Sequence, residues 1–86
     1  MWINEDELDR AGLDRKKVES IARRLSRAAL DARKLGLHVF GGSGNGSLRF
    51  NDDSGEPNLV IAHIDGPFDG GDGAERQDEN GLWRGE

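Results

Sequence analysis

LHVFGGSGNGSLRFNDDSGEPNLVIAHI, residues 37–64, alternates apolar and polar side chains and contains two clusters of turn residues. A period of two is typical of strands with one buried face. Asn45-Gly46 is the strongest short hairpin signal in the chain, and a type I′ turn there pairs Gly41 with Phe50. This pairing places the following side chains on two faces: Leu37, Val39, Leu48 and Phe50 on one, and His38, Phe40 and Arg49 on the other.

Downstream of the hairpin, the sequence predicts one more strand and then a loop. Residues 52–57 carry Asp, Ser, Gly and Pro and form a second turn, while residues 58–64 form a third strand that is apolar on both faces. Residues 65–86 are acidic and rich in glycine, so we expect a loop or tail there. The predicted sheet is therefore small, antiparallel and about three-stranded.

Upstream of the hairpin, the sequence predicts two helices. Asn4 is the expected N-cap of a short helix, with Glu7 completing a capping box, and Gly12 ends that helix in a left-handed conformation. Asp14 is the expected N-cap of the main helix, which ends at Gly36. The predicted segments are the short helix at 1–12, the main helix at 14–35, the sheet at 37–64 and the acidic tail at 65–86.

The main helix carries an apolar stripe. Its members recur at spacings of three and four: Val18, Ile21, Leu25, Ala28, Ala32 and Leu35. Because such a stripe has to be buried, we expect the helix to pack on one face of the sheet. The sequence therefore predicts an α+β fold in a single domain, residues 1–86.

Charge is segregated along the chain, although the formal net charge is only −5. Residues 1–14 contain five acids and one base, residues 15–50 contain nine bases and two acids, and residues 51–86 contain ten acids and two bases. The chain has no cysteine, which fits a reducing compartment and excludes disulfides and thiol chemistry. No apolar run is long enough to span a membrane, and we expect a cytoplasmic protein.

Motifs that resemble catalytic or cofactor sites lack the residues that such chemistry requires. The glycine-rich segment from Gly41 has no lysine after Gly46, so it does not match a phosphate-binding loop. Glycines at positions 71 and 73 interrupt the acidic segment where a calcium loop needs ligands. His63 and Asp65 form a His-x-Asp pair without a third clustered ligand. We therefore expect no catalytic residue, no cofactor and no metal, and a protein that is not an enzyme.

One segment, LDRAGLDRKKVESI at residues 8–21, resembles the helix-turn-helix DNA-binding motif. Gly12 stands at the turn, and Val18 and Ile21 stand where that family packs its recognition helix. The resemblance implies that Arg15, Lys16, Lys17 and Ser20 contact a DNA groove or its phosphates. The candidate basic face of the helix consists of Arg15, Lys16, Lys17, Arg23, Arg27 and Lys34. A chain of net charge −5 repels DNA, so direct nucleic-acid binding is the alternative hypothesis.

The short length, the segregated charge and the acidic glycine-rich tail are together similar to the small acidic proteins of phages and prophages, among them anti-CRISPR proteins. This resemblance implies a non-enzymatic inhibitor of a host bacterial protein or ribonucleoprotein complex. The predicted contacts are an acidic surface that occupies a site for nucleic-acid backbone, made of Asp52, Asp53, Asp65, Asp69, Asp72, Glu75, Asp78 and Glu79. Candidate apolar anchors are Phe68, Trp83 and Leu30. A further alternative is a homodimeric structural module.

Overall fold

The computed structural model describes residues 1–42 and 44–85 and confirms the α+β fold. Two helices precede five short strands in these residues. In chain order the elements are α1 (Glu5–Ala11), α2 (Arg15–Lys34), β1 (Leu37–Gly42), β2 (Gly44–Phe50), β3 (Leu59–Phe68), β4 (Glu75–Gln77) and β5 (Trp83–Gly85).

Most helix ends lie where the sequence places them. Gly12 adopts a left-handed conformation with φ of 69° after α1. The Asp14 carboxylate accepts a hydrogen bond from the backbone N–H of Lys17 at 3.1 Å and so caps α2. The predicted capping box at Asn4 is wrong, because the Asn4 side chain makes no cap hydrogen bond and instead accepts one from the Trp2 indole N–H.

The three-stranded sheet is antiparallel in the order β1-β2-β3, and its hairpin register differs from the predicted one. Gly41 pairs with Gly46 and not with Phe50, while Gly42 pairs with Asn45. Gly44, with φ of 82°, therefore stands at the turn, and Ser43 lies outside the described residues. The difference between the two registers is an even number of residues, so the predicted side-chain sets keep their faces.

The Phe68 ring explains why Asn45-Gly46 does not form the turn. A Cβ at Gly46 would lie 2.5 Å from Phe68 Cε2, and one at Gly41 would lie 3.1 Å from Phe68 Cδ1. Gly41 and Gly46 are direct partners in the ladder, so together they leave space for one aromatic ring on the sheet. These glycines are packing residues within strands, and the ring they accommodate stabilises the observed register.

Part of the predicted acidic tail is strand, which corrects the prediction for residues 65–86. β3 continues past Ile64 to Phe68, and it tolerates Pro67 because β3 is an edge strand of the described sheet. Glu75–Gln77 and Trp83–Gly85 pair as a second, two-stranded sheet. Local turn chemistry at Asp78 outweighs the unfavourable composition of this segment.

Two compact units divide the described chain. The terminal unit contains Met1–Ser26 and residues 72–85, and the sheet unit contains Arg27–Gly71, so α2 contributes to both. The single-domain organisation of residues 1–86 stays a prediction.

The predicted burial of the whole α2 stripe is wrong. Ala32 is buried, but Leu25 and Leu35 remain 63% and 73% exposed. Among the described residues, no helix or strand makes an extended contact with α2, so nothing covers the stripe along its length. The structure therefore leaves much of its apolar surface in solvent.

Candidate protein-interaction surface

One end of the three-stranded sheet combines apolar side chains with an acidic loop. Phe50 pairs with Leu37 on one side and with Leu59 on the other, so these three side chains form a row across the sheet. Phe50 and Leu59 are exposed, and Leu37 is half-buried. The loop that joins β2 to β3 begins directly after Phe50 and carries Asp52, Asp53 and Glu56. We call this set the hairpin-end surface: Leu37, Phe50, Leu59, Asp52, Asp53 and Glu56.

Consecutive side-chain turns hold the acidic loop. The Asn51 side chain accepts a hydrogen bond from the Asp53 N–H at 2.9 Å, and the Asp52 carboxylate accepts one from the Ser54 N–H at 3.2 Å. The Ser54 hydroxyl accepts a third from the Glu56 N–H at 3.2 Å. Each of these bonds joins residues two apart, which is the geometry of Asx and Ser turns. The loop conformation is therefore fixed by its own side chains.

The carboxylates of this loop are available to a partner. Hydrogen bonds from the Ser54 hydroxyl and N–H lower the pKa of Asp52 below its ordinary value, so its charge persists in mild acid. Asp53 has a positive φ of 60°, a conformation that Asp tolerates better than most residues. Among residues 1–42 and 44–85, no cation pairs with Asp52, Asp53 or Glu56. The sequence prediction included two of these acids and omitted Glu56, although its place in the turn segment made it a candidate.

The remaining predicted acids are distributed over both units. Asp65 lies in β3, and Asp69 directly follows that strand. Both belong to the sheet unit, but they lie toward the end of β3 that is away from the loop joining β2 to β3. The terminal unit contains the other four: Asp72, Glu75, Asp78 and Glu79. The structure therefore does not gather the eight acids within one unit.

Asp78 organises the second hairpin. Its carboxylate accepts hydrogen bonds from the Asn80 N–H at 2.8 Å and the Leu82 N–H at 3.1 Å, and from Arg84 Nε at 2.8 Å. The Arg84 bond is the main cause of a lowered pKa at Asp78. Since its side chain is only 17% exposed, Asp78 maintains the β4–β5 turn and presents little charge to a partner.

The predicted apolar anchors differ in what they contact. The Phe68 ring already lies against the sheet glycines, so it cannot insert into a partner without leaving them. Trp83 is exposed, and its backbone N–H donates to the Glu7 carboxylate at 2.8 Å, which joins β5 to α1 within the terminal unit. Leu30 is exposed on α2, as its position among basic residues predicts.

The candidate basic face is exposed along α2, but its members are not equally available. Arg15 pairs with Glu5 and, at 3.2 Å, with Glu19, and the hydrogen bond with Arg15 lowers the pKa of Glu5. Lys34 lies 4.0 Å from Asp31. In the part of the chain that the structure describes, the other four have no ion pair: Lys16, Lys17, Arg23 and Arg27.

The helix-turn-helix geometry is present in outline only. The α1-Gly12-α2 corner forms as the resemblance implies, and Leu8 is buried there. Ile21 remains half exposed, whereas that family packs this position against its first helix. The corner therefore lacks the tight packing that fixes a recognition helix.

Comparison of the chain with models of protein families, with curated protein sequences and with solved structures gives no match. Within residues 1–42 and 44–85, no three His, Asp or Glu side chains converge as metal ligands would. Neither of the two helices in these residues has the length and apolar character needed to cross a membrane. The functional argument therefore rests on the geometry of the chain itself.

Proposed function

We propose that this chain is a small interaction protein that acts by occupying a surface of another macromolecule. The exposed apolar surface carries this proposal. Large apolar side chains remain exposed in both units, among them Leu25 at 63% in the terminal unit and Leu59 at 47% in the sheet unit. Exposed apolar side chains that lie side by side, as Phe50 and Leu59 do, are typical of a contact site for another macromolecule.

The hairpin-end surface is the part of the sheet unit best suited to such contact. It places a largely exposed apolar row beside carboxylates that have no cation partner among the described residues, and an apolar centre with a charged rim is the usual composition of an interface. Ordered carboxylates next to apolar side chains are complementary to a surface that holds a nucleic-acid backbone. The partner class we propose is a bacterial nucleic-acid-handling complex of the CRISPR-defence type, which this protein inhibits by blocking that surface.

Two neighbouring residues of β3 allow a matched test of the apolar row. Leu59 and Val60 have nearly equal exposure, 47% and 49%, but Leu59 pairs with Phe50 and Val60 pairs with Arg49, so they lie on opposite faces. In affinity capture from bacterial lysate, we expect Leu59→Gln to lose a retained nucleic-acid-binding protein and Val60→Gln to keep it. Addition of nucleic acid should displace that protein from the wild-type chain.

The acidic rim is tested with isosteric changes. Asp52→Asn, Asp53→Asn and Glu56→Gln together remove three charges, while the amide oxygen at position 52 still accepts the hydrogen bond from the Ser54 N–H. The control triple neutralises Asp65, Asp69 and Glu79 in the same way. Equal capture by both triples, or capture that nucleic acid does not displace, would contradict the proposal. A solution mass of twice the chain would instead show that a second copy covers the surface.

A further inference from the structure

The opposite face of the sheet contains an open cavity of about 460 Å³. It lies within the sheet unit and is distinct from the hairpin-end surface. We call it the Arg49 cavity, and its lining residues are Phe40, Gly42, Asn45, Gly46, Ser47, Arg49, Val60 and His63. Its volume is within the range of about 300–1,000 Å³ that is typical of small-molecule sites.

Arg49 is held in this cavity by two neighbours. Its Nε donates to the Ser47 hydroxyl at 3.0 Å, and its guanidinium carbon lies 3.9 Å from the centre of the Phe40 ring. Ser47 is only 5% exposed and Arg49 is half-buried, so the contact is sheltered from water. Two fixed contacts restrict the rotamers of a side chain that is otherwise flexible. The guanidinium is therefore ordered before any ligand arrives.

No described residue neutralises the charge of Arg49. Across residues 1–42 and 44–85, no carboxylate lies within ion-pair distance of Arg49, although acids outnumber bases by 17 to 12 in the sequence. Only its Nε donates a hydrogen bond there, which leaves the two terminal amino groups without an acceptor. An ordered guanidinium with free terminal amino groups binds carboxylate or phosphate in a bidentate manner.

We propose that the Arg49 cavity binds a small molecule that carries an oxyanion and an apolar group. The oxyanion, a carboxylate or a phosphate, pairs with the terminal amino groups of Arg49. His63 and the Asn45 amide supply further polar groups at the cavity wall, and Val60 and the Phe40 ring supply apolar contact. This ligand site is independent of the partner surface, because it lies on the other face of the sheet.

The test is a titration of the full chain followed by nuclear magnetic resonance of backbone and arginine N–H groups. The probes are benzoate, phenyl phosphate and inorganic phosphate, and the first two distinguish a carboxylate ligand from a phosphate ligand. We expect the chemical shifts of the Arg49 Nε–H and the Ser47 N–H to change and to saturate at millimolar concentrations of at least one aromatic probe. Inorganic phosphate should bind more weakly.

Arg49→Lys keeps the positive charge but removes the planar guanidinium that can bind an oxyanion through two N–H groups. We therefore expect the affinity for the aromatic probe to fall at least tenfold. Arg24→Lys is the matched control, because Arg24 Nε also donates a hydrogen bond, at 3.3 Å to the Ser20 carbonyl, but on an exposed helix. The His63 side chain lines the cavity but takes no part in the contact between Arg49 and Phe40. His63→Gln is therefore the second variant if Arg49→Lys does not fold. The proposal is overturned if no aromatic probe gives saturable shifts, or if Arg49→Lys binds as tightly as Arg24→Lys.

Discussion

Replacement of Gly46 by alanine should destabilise the sheet through one aromatic ring. The new Cβ would lie 2.5, 2.6 and 2.8 Å from Cε2, Cζ and Cδ2 of Phe68, so the ring has to move by roughly 1 Å to restore van der Waals distance. Overpacking of this kind costs about 1–3 kcal/mol, and the reduced entropy of the unfolded alanine chain offsets about 0.4–1 kcal/mol. We therefore expect a net loss of about 1–2 kcal/mol.

Thermal unfolding by circular dichroism measures this loss. A change of 1 kcal/mol shifts Tm by about 4–8 °C in a domain of this size, so Gly46→Ala should lower Tm by roughly 4–16 °C. Gly85→Ala is the control, because a Cβ there meets only the Ala74 carbonyl oxygen at 4.0 Å. We expect that control to stay within about 2 °C of the wild type.

A double-mutant cycle separates the ring from other effects of the glycine. In a Phe68→Ala background the obstacle is absent, so Gly46→Ala should be neutral or slightly stabilising. An equal penalty in both backgrounds would refute the reasoning, since it would show that the backbone at Gly46, and not the Phe68 ring, requires glycine.

Two further predictions concern the terminal unit. Because Arg84 and two backbone N–H groups lower the pKa of Asp78, the stability they confer is complete above the ordinary aspartate pKa of about 3.9 and is lost as pH falls through the lower folded value. Acid titration of the β4–β5 amide resonances should show this loss in the wild type, and Asp78→Asn should abolish it. Glu7→Ala removes the acceptor of the Trp83 backbone N–H and should shift the fluorescence emission of Trp83 to longer wavelength, measured in a Trp2→Phe background. Glu79→Ala is the control. An unchanged spectrum in Glu7→Ala would show that this bond does not hold β5.

Sequence patterns predicted which side chains share a face better than they predicted register. Period-two alternation places Leu48 and Phe50 on one face in any register that differs by an even number of residues, so this prediction held when the turn moved. The turn itself depends on Phe68, which is distant in sequence from Gly46 and is adjacent only after β3 pairs with β2. No local rule contains that contact.

The residues of the proposed sites could be predicted from the sequence to different extents for a similar reason. Asp52 and Asp53 were identified by charge alone, which requires no knowledge of neighbours. The role of Arg49 depends on Ser47 two residues before it and on Phe40 in the adjacent strand, so it follows only from the observed pairing. The composition of the glycine-rich segment also did not predict the β4–β5 hairpin. Its turn is held by the side chain of one aspartate, Asp78, which accepts hydrogen bonds from two backbone N–H groups.

The turns of this chain separate the structural role of its aspartates from their charge. Among the described residues, four aspartates accept a hydrogen bond from the backbone N–H two residues later: Asp52, Asp69, Asp72 and Asp78. Asn51 makes the same turn with an amide oxygen, so the geometry does not require a carboxylate. Turn formation therefore explains the position of these side chains but not their negative charge. At Asp78 the charge has an internal partner in Arg84, and at Asp52 it has none among the described residues, which is why Asp52 and its neighbours are the acids we assign to a partner.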